Sequence, residues 1–269
     1  SSDLGGAVFA GDTIQYFVVA QDLASTPNVG INSGIFANPQ SSVNLSAGAF
    51  PITGTINMYS IIAYISGTVT VGTGGTYATL TGAAGLFADI NSKVVSGHIV
   101  ANIISDITEP GTNALNQFSE EGGPWTLTIA PSAATTRTIS GSFAVGLIRL
   151  NGADRVTIDG RFSGAGNFLT FSNISTASSA VFMLISLGAG QGATNNTIRN
   201  CNISTGTSST ATYGIHLGGS TIASSGADND NNSILNNVIT VASHGIYAFG
   251  TASSSSGGLD NLTISGNSV

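Results

Sequence analysis

Over the second two-thirds of the chain, apolar residues come in short bursts that alternate with polar ones and are separated by Gly, Ser, Thr and Asn. In Gly214-Ile215-His216-Leu217 the aliphatic side chains fall on one face of an extended chain, the two-residue period of a strand. NFLTFSNIS, NNTIRNCNIS, NNSILNNVIT and DNLTISGNSV align without gaps around one template. Its first apolar position holds Leu169, Ile198, Ile234 and Ile264, at spacings of 29, 36 and 30 residues. Its second holds Ile174, Ile203, Ile239 and Val269. A further series, VFMLISLG, TYGIHLGG and SHGIYAFG, interleaves with the first. It sets Ile185, Ile215 and Ile246 in register at spacings of 30 and 31, with Leu187, Leu217 and Ala248 two positions on.

Two strand series with a common period mean that each repeat holds several strands and no intervening helix. A sandwich also has strands at short intervals, but it does not explain why equivalent strands recur about every 30 residues. A coil that returns to stack on itself does. The pattern predicts an all-β fold, a right-handed parallel β-helix (a solenoid) with rungs about 4.8 Å apart. Ile198, Ile234 and Ile264 would then stack inside it. The crowded asparagines become architecture: Asn tolerates the left-handed backbone that bends need, and its amide can bond to the rungs above and below.

Upstream, Leu80, Ala83, Ala84, Phe87 and Ile90 are spaced as one face of a short helix, with Thr79 or Thr81 as N-cap. A solenoid exposes its first rung, so a capping helix is expected there. Residues 1–66 read differently. GDTIQYFVVAQD alternates Ile14, Tyr16, Val18 and Ala20 as one strand, and Pro27, Pro39 and Pro51 punctuate a connector. The expected division is 1–66 for this segment and 67–269 for the β-helix, truncated at its C-terminal end. The whole looks like a piece of a longer chain.

Composition narrows the function classes. Only 7% of residues are charged, 36 are Gly, and 41% are hydrophobic, enough for a substantial core. A net charge of −7 and only 6 basic residues leave no stripe to neutralise phosphates, so no nucleic-acid partner is expected. The apolar runs are too short for a membrane span. The single cysteine, Cys201, rules out an internal disulfide framework. Such hydroxyl- and amide-rich, Lys-poor sequence suggests an extracellular or cell-surface location in a bacterium.

VGTGGTYATL from Val71 to Leu80, the short helix, TLTIAP, TISG and RVTIDG together resemble the opening of the pectin-lyase-like β-helix superfamily. More narrowly, they resemble β-helix segments of large secreted surface proteins of Bacteroidota-type bacteria, often exported by type IX secretion. The resemblance covers about Thr68 to Val269. GDTIQYFVVAQD is similar to the end of an immunoglobulin- or fibronectin-like domain, a partial β-sandwich ahead of the solenoid. The partners implied are neighbouring domains of the same long chain, the secretion machinery during export, and surface glycans.

Many members of that superfamily cleave polysaccharides, and hydrolysis needs two carboxylates facing one cleft. The catalytic candidates are Asp154 and Asp159, which flank a strand and also read as turn residues. Asp228 and Asp230 in GADNDNN offer oxygen ligands of the class calcium takes, the only cofactor considered, although no glutamate closes the loop. His216 and Tyr247 should be outward neighbours on adjacent rungs and, with Tyr213, a small sugar-stacking patch. The leading expectation is a non-catalytic scaffold or adhesin segment; the alternative is a polysaccharide lyase or glycoside hydrolase.

Overall fold

A computed structural model of the chain describes residues 8–9, 11–252 and 256–269. It divides into two compact units, Ser1–Ala63 and Tyr64–Val269. In the first unit Thr13–Tyr16 pairs antiparallel with Asn57–Ser60, and Val19–Gln21 pairs antiparallel with Val29–Ile31. GDTIQYFVVAQD is therefore two short strands broken at Phe17 and Val18, not one. No larger sheet forms there among the described residues, and such two-stranded pieces fall short of a sandwich.

The second unit is a parallel β-solenoid of about 6 turns. Its first sheet stacks Tyr64–Val71, Val94–Ile103, Leu127–Pro131, Val156–Asp159, Thr197–Arg199, Ser233–Leu235 and Thr263–Ser265. The second stacks Ile107–Thr108, Arg137–Gly141, Leu169–Asn173, Cys201–Thr205 and Val238–Thr240. The third stacks Leu115–Asn116, Gly146–Asn151, Ser179–Ile185, Thr212–Gly218 and His244–Ala248.

Like sits on like along the interior of each sheet. Ile129, Ile158, Ile198, Ile234 and Ile264 form one column of the first sheet. Ile107, Ile139, Phe171, Ile203 and Ile239 form the second-sheet column. Phe182, Ile215 and Ile246 line the third, and the Phe171 and Phe182 rings meet inside at 4.7 Å between centroids. Outward positions of the first sheet carry Thr128, Thr157, Thr197, Ser233 and Thr263 in register. That is where the hydroxyl-rich, charge-poor composition goes.

Two sequence alignments need correction. NFLTFSNIS belongs to the second sheet: Leu169 lies over Cys201, not Ile198, and Phe171 rather than Ile174 stacks on Ile203. Ile174 is exposed. In the third sheet Phe182 and Leu184, not Ile185 and Leu187, stand over Ile215 and Leu217; Ile185 lies over Gly218.

The paired asparagines divide two tasks between them. In Asn195-Asn196, Asn231-Asn232 and Asn236-Asn237, the first residue takes the left-handed backbone, with φ of 57°, 56° and 55°. The second is buried and bonds across rungs. Asn232 Oδ1 accepts from the Asn196 N–H at 2.9 Å, and Asn196 Oδ1 in turn accepts from the Val156 N–H at 2.8 Å. At the next corner Asn267 Oδ1 accepts from the Asn237 N–H and Asn237 Oδ1 accepts from the Cys201 N–H. Asn200 supplies the left-handed corner before Cys201, φ 52°. Beneath it lies Gly160, where a Cβ would sit 1.7 Å from the Asn200 carbonyl oxygen, so the Asp159-Gly160 corner admits only glycine.

The expected helix forms, but only over Leu86–Ser92, with Gly85 as N-cap and no side-chain cap bond. Thr79 and Thr81 do not cap it, and Leu80, Ala83 and Ala84 lie ahead of it. The reason is Glu109: its buried carboxylate accepts from the Leu80 N–H at 2.6 Å, the Thr81 N–H at 2.8 Å, and the Thr81 hydroxyl. Those donors are thus held in a loop. Leu86, Phe87 and Ile90 are buried, and Asn91 bonds the Ala114 carbonyl and the Asn116 N–H beside the first strand of the third sheet.

Candidate functional site

The solenoid uses its aspartates as ties between rungs. Asp159 ends a first-sheet strand pointing outward, where Arg161 Nε and Nη2 donate at 2.9 and 3.0 Å and Arg199 Nη2 from the next rung donates at 2.8 Å. Burial alone would raise its carboxyl, but the two guanidiniums outweigh it and hold the group below the usual range. Asp154 sits at the other end of that strand. Its Oδ1 accepts the Thr194 N–H at 2.7 Å and the Thr194 hydroxyl at 2.8 Å, and Arg155 Nη1 is 3.7 Å from Oδ2. The intervening strand rises ~3.3 Å per residue, which keeps the two carboxyl-bearing residues on the order of 10 Å or more apart. The structure does not bring them to one cleft.

Asp228 and Asp230 lie in the long segment between the third and first sheets. Asp228 accepts the Gly190 N–H at 2.7 Å and the Gly257 N–H at 2.6 Å, and Asp230 accepts the Asp260 N–H at 2.7 Å. Among the described residues no group of three or more His, Cys, Asp or Glu side chains converges as a metal site would require.

The third sheet carries rings on its outward face, in the register expected. Arg149, Met183, His216 and Tyr247 form one column; Gly146, Ala180, Tyr213 and His244 form its neighbour. His216 stacks on Tyr247 at 5.4 Å and 15° between planes, and Tyr213 on His244 at 4.7 Å and 17°. What the sequence did not show is the cover. Ala223 donates its N–H to His216 Nε2 at 3.1 Å, and the Tyr247 hydroxyl donates to the Ala223 carbonyl at 3.3 Å. His216 is consequently buried, at 0% exposure, and Tyr213, at 3%, is buried in a cluster with Ala180, Met183 and Ile185, so neither offers a face to a sugar. Tyr247 is half-buried, while His244 and Phe249 are exposed.

Burial disfavours the imidazolium and brings the His216 pKa down from 6.5 to about 4. The unfolded chain then binds the proton more readily than the folded one, so this contribution to stability is intact above pH 6.5 and disappears as pH falls towards 4. Urea midpoints should drop across that window, and His216→Phe should flatten the drop. An unchanged slope in the variant would exclude His216 as its source.

Asp154 has a second neighbour set. It lines a cleft of about 350 Å³ together with Gln117, Gly152, Leu187, Gly190 and Gln191. These residues come from three successive rungs: Gln117 just after Leu115–Asn116, Gly152 and Asp154 just after Gly146–Asn151, and the remainder after Ser179–Ile185. All lie where the chain passes from the third sheet to the first. Leu187 is exposed, and its N–H bonds the Gln191 carbonyl at 2.9 Å, closing a tight loop whose glycines Gly188 and Gly190 have positive φ. Sequence reasoning finds Asp154 but misses Gln117, Leu187 and Gln191, which share no motif and meet only because rungs stack.

Comparison of the chain with protein-family models, curated proteins and solved structures finds no match. What the chain can do must therefore be read from these residues and their chemistry.

Proposed function

We propose that this chain is a non-catalytic, extracellular scaffold or adhesin segment of a large bacterial surface or secreted protein, one that extends, presents neighbouring domains and contacts glycans. The supporting observation is the use made of its acids. Asp154, Asp159, Asp228 and Asp230 are each bonded to backbone or guanidinium donors that tie one rung to the next or brace a corner. A retaining or inverting hydrolase needs instead a pair of carboxyls free to face one glycosidic bond. A solenoid bonded along its length also supplies reach and stiffness from nearly uncharged sequence. The pectin-lyase-like resemblance, the Bacteroidota-type origin and type IX export belong to this same proposal, carried by the sequence motifs and the parallel solenoid.

A carbohydrate-active enzyme is the second reading, favoured by one observation: Asp154 lines a cleft. Incubation of the purified chain with pectin, polygalacturonate, xylan and mixed β-glucans should release no reducing ends and no unsaturated products. Release that disappears in Asp154→Asn would replace the scaffold with the enzyme.

A further inference from the structure

We infer that the cleft around Asp154 is a binding site for one or two pyranose units of a neutral saccharide. This rests on the glycan-contacting part of the reading above. The cleft's size falls within the range of small-ligand pockets, which run from about 300 to 1,000 Å³. It draws on three successive rungs, a span on the order of 10 Å at about 4.8 Å per rung, which is the length of a disaccharide rather than of a single ion.

The lining sets the chemistry. Gln117 and Gln191 bring primary amides, each able to donate to one hydroxyl and accept from another. Among the described residues neither side-chain amide has a hydrogen-bond partner, whereas Asp154 Oδ1 accepts both the Thr194 N–H and the Thr194 hydroxyl. Asp154 Oδ2 has only Arg155 Nη1 near it, at 3.7 Å, beyond hydrogen-bond distance, and remains an acceptor for sugar hydroxyls. Leu187, half of whose surface is exposed at 52%, gives the apolar surface on which the C–H face of a pyranose packs. Gly152 and Gly190 keep side chains from filling the space.

Other ligand classes fit less well. No basic side chain lines the cleft, and Arg155, 3.7 Å from Asp154, is already shared between Asp154 and Glu120, so a uronate or sulfated sugar would find no further positive charge there. Calcium takes six to eight oxygens, usually from several carboxylates, and a single aspartate lines this cleft.

The test is a titration of the isotope-labelled chain, followed through its amide resonances, with maltose, cellobiose, lactose and mannobiose. Digalacturonate and calcium chloride serve as separate arms. A neutral disaccharide should shift the amides of Gly190, Gln191 and Gly192. Gln117→Ala and Gln191→Ala should each weaken its binding by about three- to tenfold, the worth of one neutral hydrogen bond. Asp154→Asn keeps Oδ1 as acceptor for Thr194, so it should preserve the spectrum elsewhere while weakening binding similarly. Three outcomes overturn the assignment: no shift with any neutral disaccharide, larger shifts with digalacturonate or calcium, or wild-type affinity in all three variants. Failure of every saccharide to bind would leave the scaffold standing. Saccharide binding accompanied by reducing-end release would instead sink the non-catalytic reading and leave the site.

Discussion

Replacing Asn232 with Leu is expected to unfold much of the solenoid, whereas changing its neighbour Asn231 to Gly should barely matter. Asn232 is fully buried; its Oδ1 accepts from the Asn196 N–H, and its Nδ2 donates to the carbonyls of Ala193 at 2.8 Å and Asn229 at 2.9 Å. Leucine has similar bulk but no polar atoms, so one N–H and two carbonyls would lose their partners in the interior. At about 1–3 kcal/mol for each orphaned group, the loss is roughly 3–9 kcal/mol, a large part of a typical domain's stability. Asn231, by contrast, serves through its backbone at φ 56°, which glycine adopts freely, and its side chain makes only an exposed bond with Asn261 at 3.0 Å. Its replacement should stay within about 1 kcal/mol. Urea unfolding followed by circular dichroism checks both. Equal losses in the two variants would mean that the ladder does not divide its labour as described.

Removal of the Glu109 carboxylate should have a comparable effect at the other end of the solenoid. Glu109→Ala deprives the Leu80 N–H, the Thr81 N–H and the Thr81 hydroxyl of their shared acceptor and leaves a void, a cost on the order of 4 kcal/mol or more. Amide exchange at Leu80 and Thr81 should accelerate first. The pH dependence carries a separate signature. Burial raises the Glu109 carboxyl above its ordinary 4.5, against the opposing pull of the Thr81 hydroxyl and the two N–H groups. In the interval above 4.5 the folded chain therefore holds the proton that the unfolded chain has released. Its contribution is complete below that value and diminishes as pH climbs through the folded pKa. Glu109→Gln, which cannot ionise, should lose this segment of the pH profile while retaining one acceptor for the loop. Identical stability profiles for the Glu109→Gln variant and the parent chain, from about pH 4 to 8, would show that the carboxyl titrates as it does in water.

Both effects trace to buried polar groups, and only one of them is readable in the sequence. The asparagine ladder can be inferred because the residues repeat: Asn-Asn recurs at the same place in successive template copies. Glu109 occurs once, in DITEPGT, and its partners Leu80 and Thr81 lie 29 and 28 positions upstream. Nothing local marks it. The helix boundary fails for the same reason: periodicity places Leu80, Ala83 and Ala84 on a helix face, while the distant carboxylate holds their loop out of it.

Register errors have a different cause. NFLTFSNIS aligns with first-sheet strands because inward strands of all three sheets share the same alternation, and a template built on that alternation cannot distinguish them. VFMLI carries apolar residues on both faces; Met183, pointing outward beside His216, is as buried as Phe182, pointing inward. A strand covered on both sides offers no contrast by which to set its register.

From the chain alone followed the winding, the period of about 30 residues, the interior aliphatic columns and the work of the asparagines. Each of these is a repeated, short-range preference for burial or backbone shape, and repetition makes it visible. Tertiary structure decided the rest: that Ala223 covers His216, that the aspartates are ties, and that Gln117, Asp154 and Gln191 converge on one cleft. Those outcomes depend on how far unequal loops reach between neighbouring rungs, and loop length sets that reach without leaving any pattern in the residues that meet.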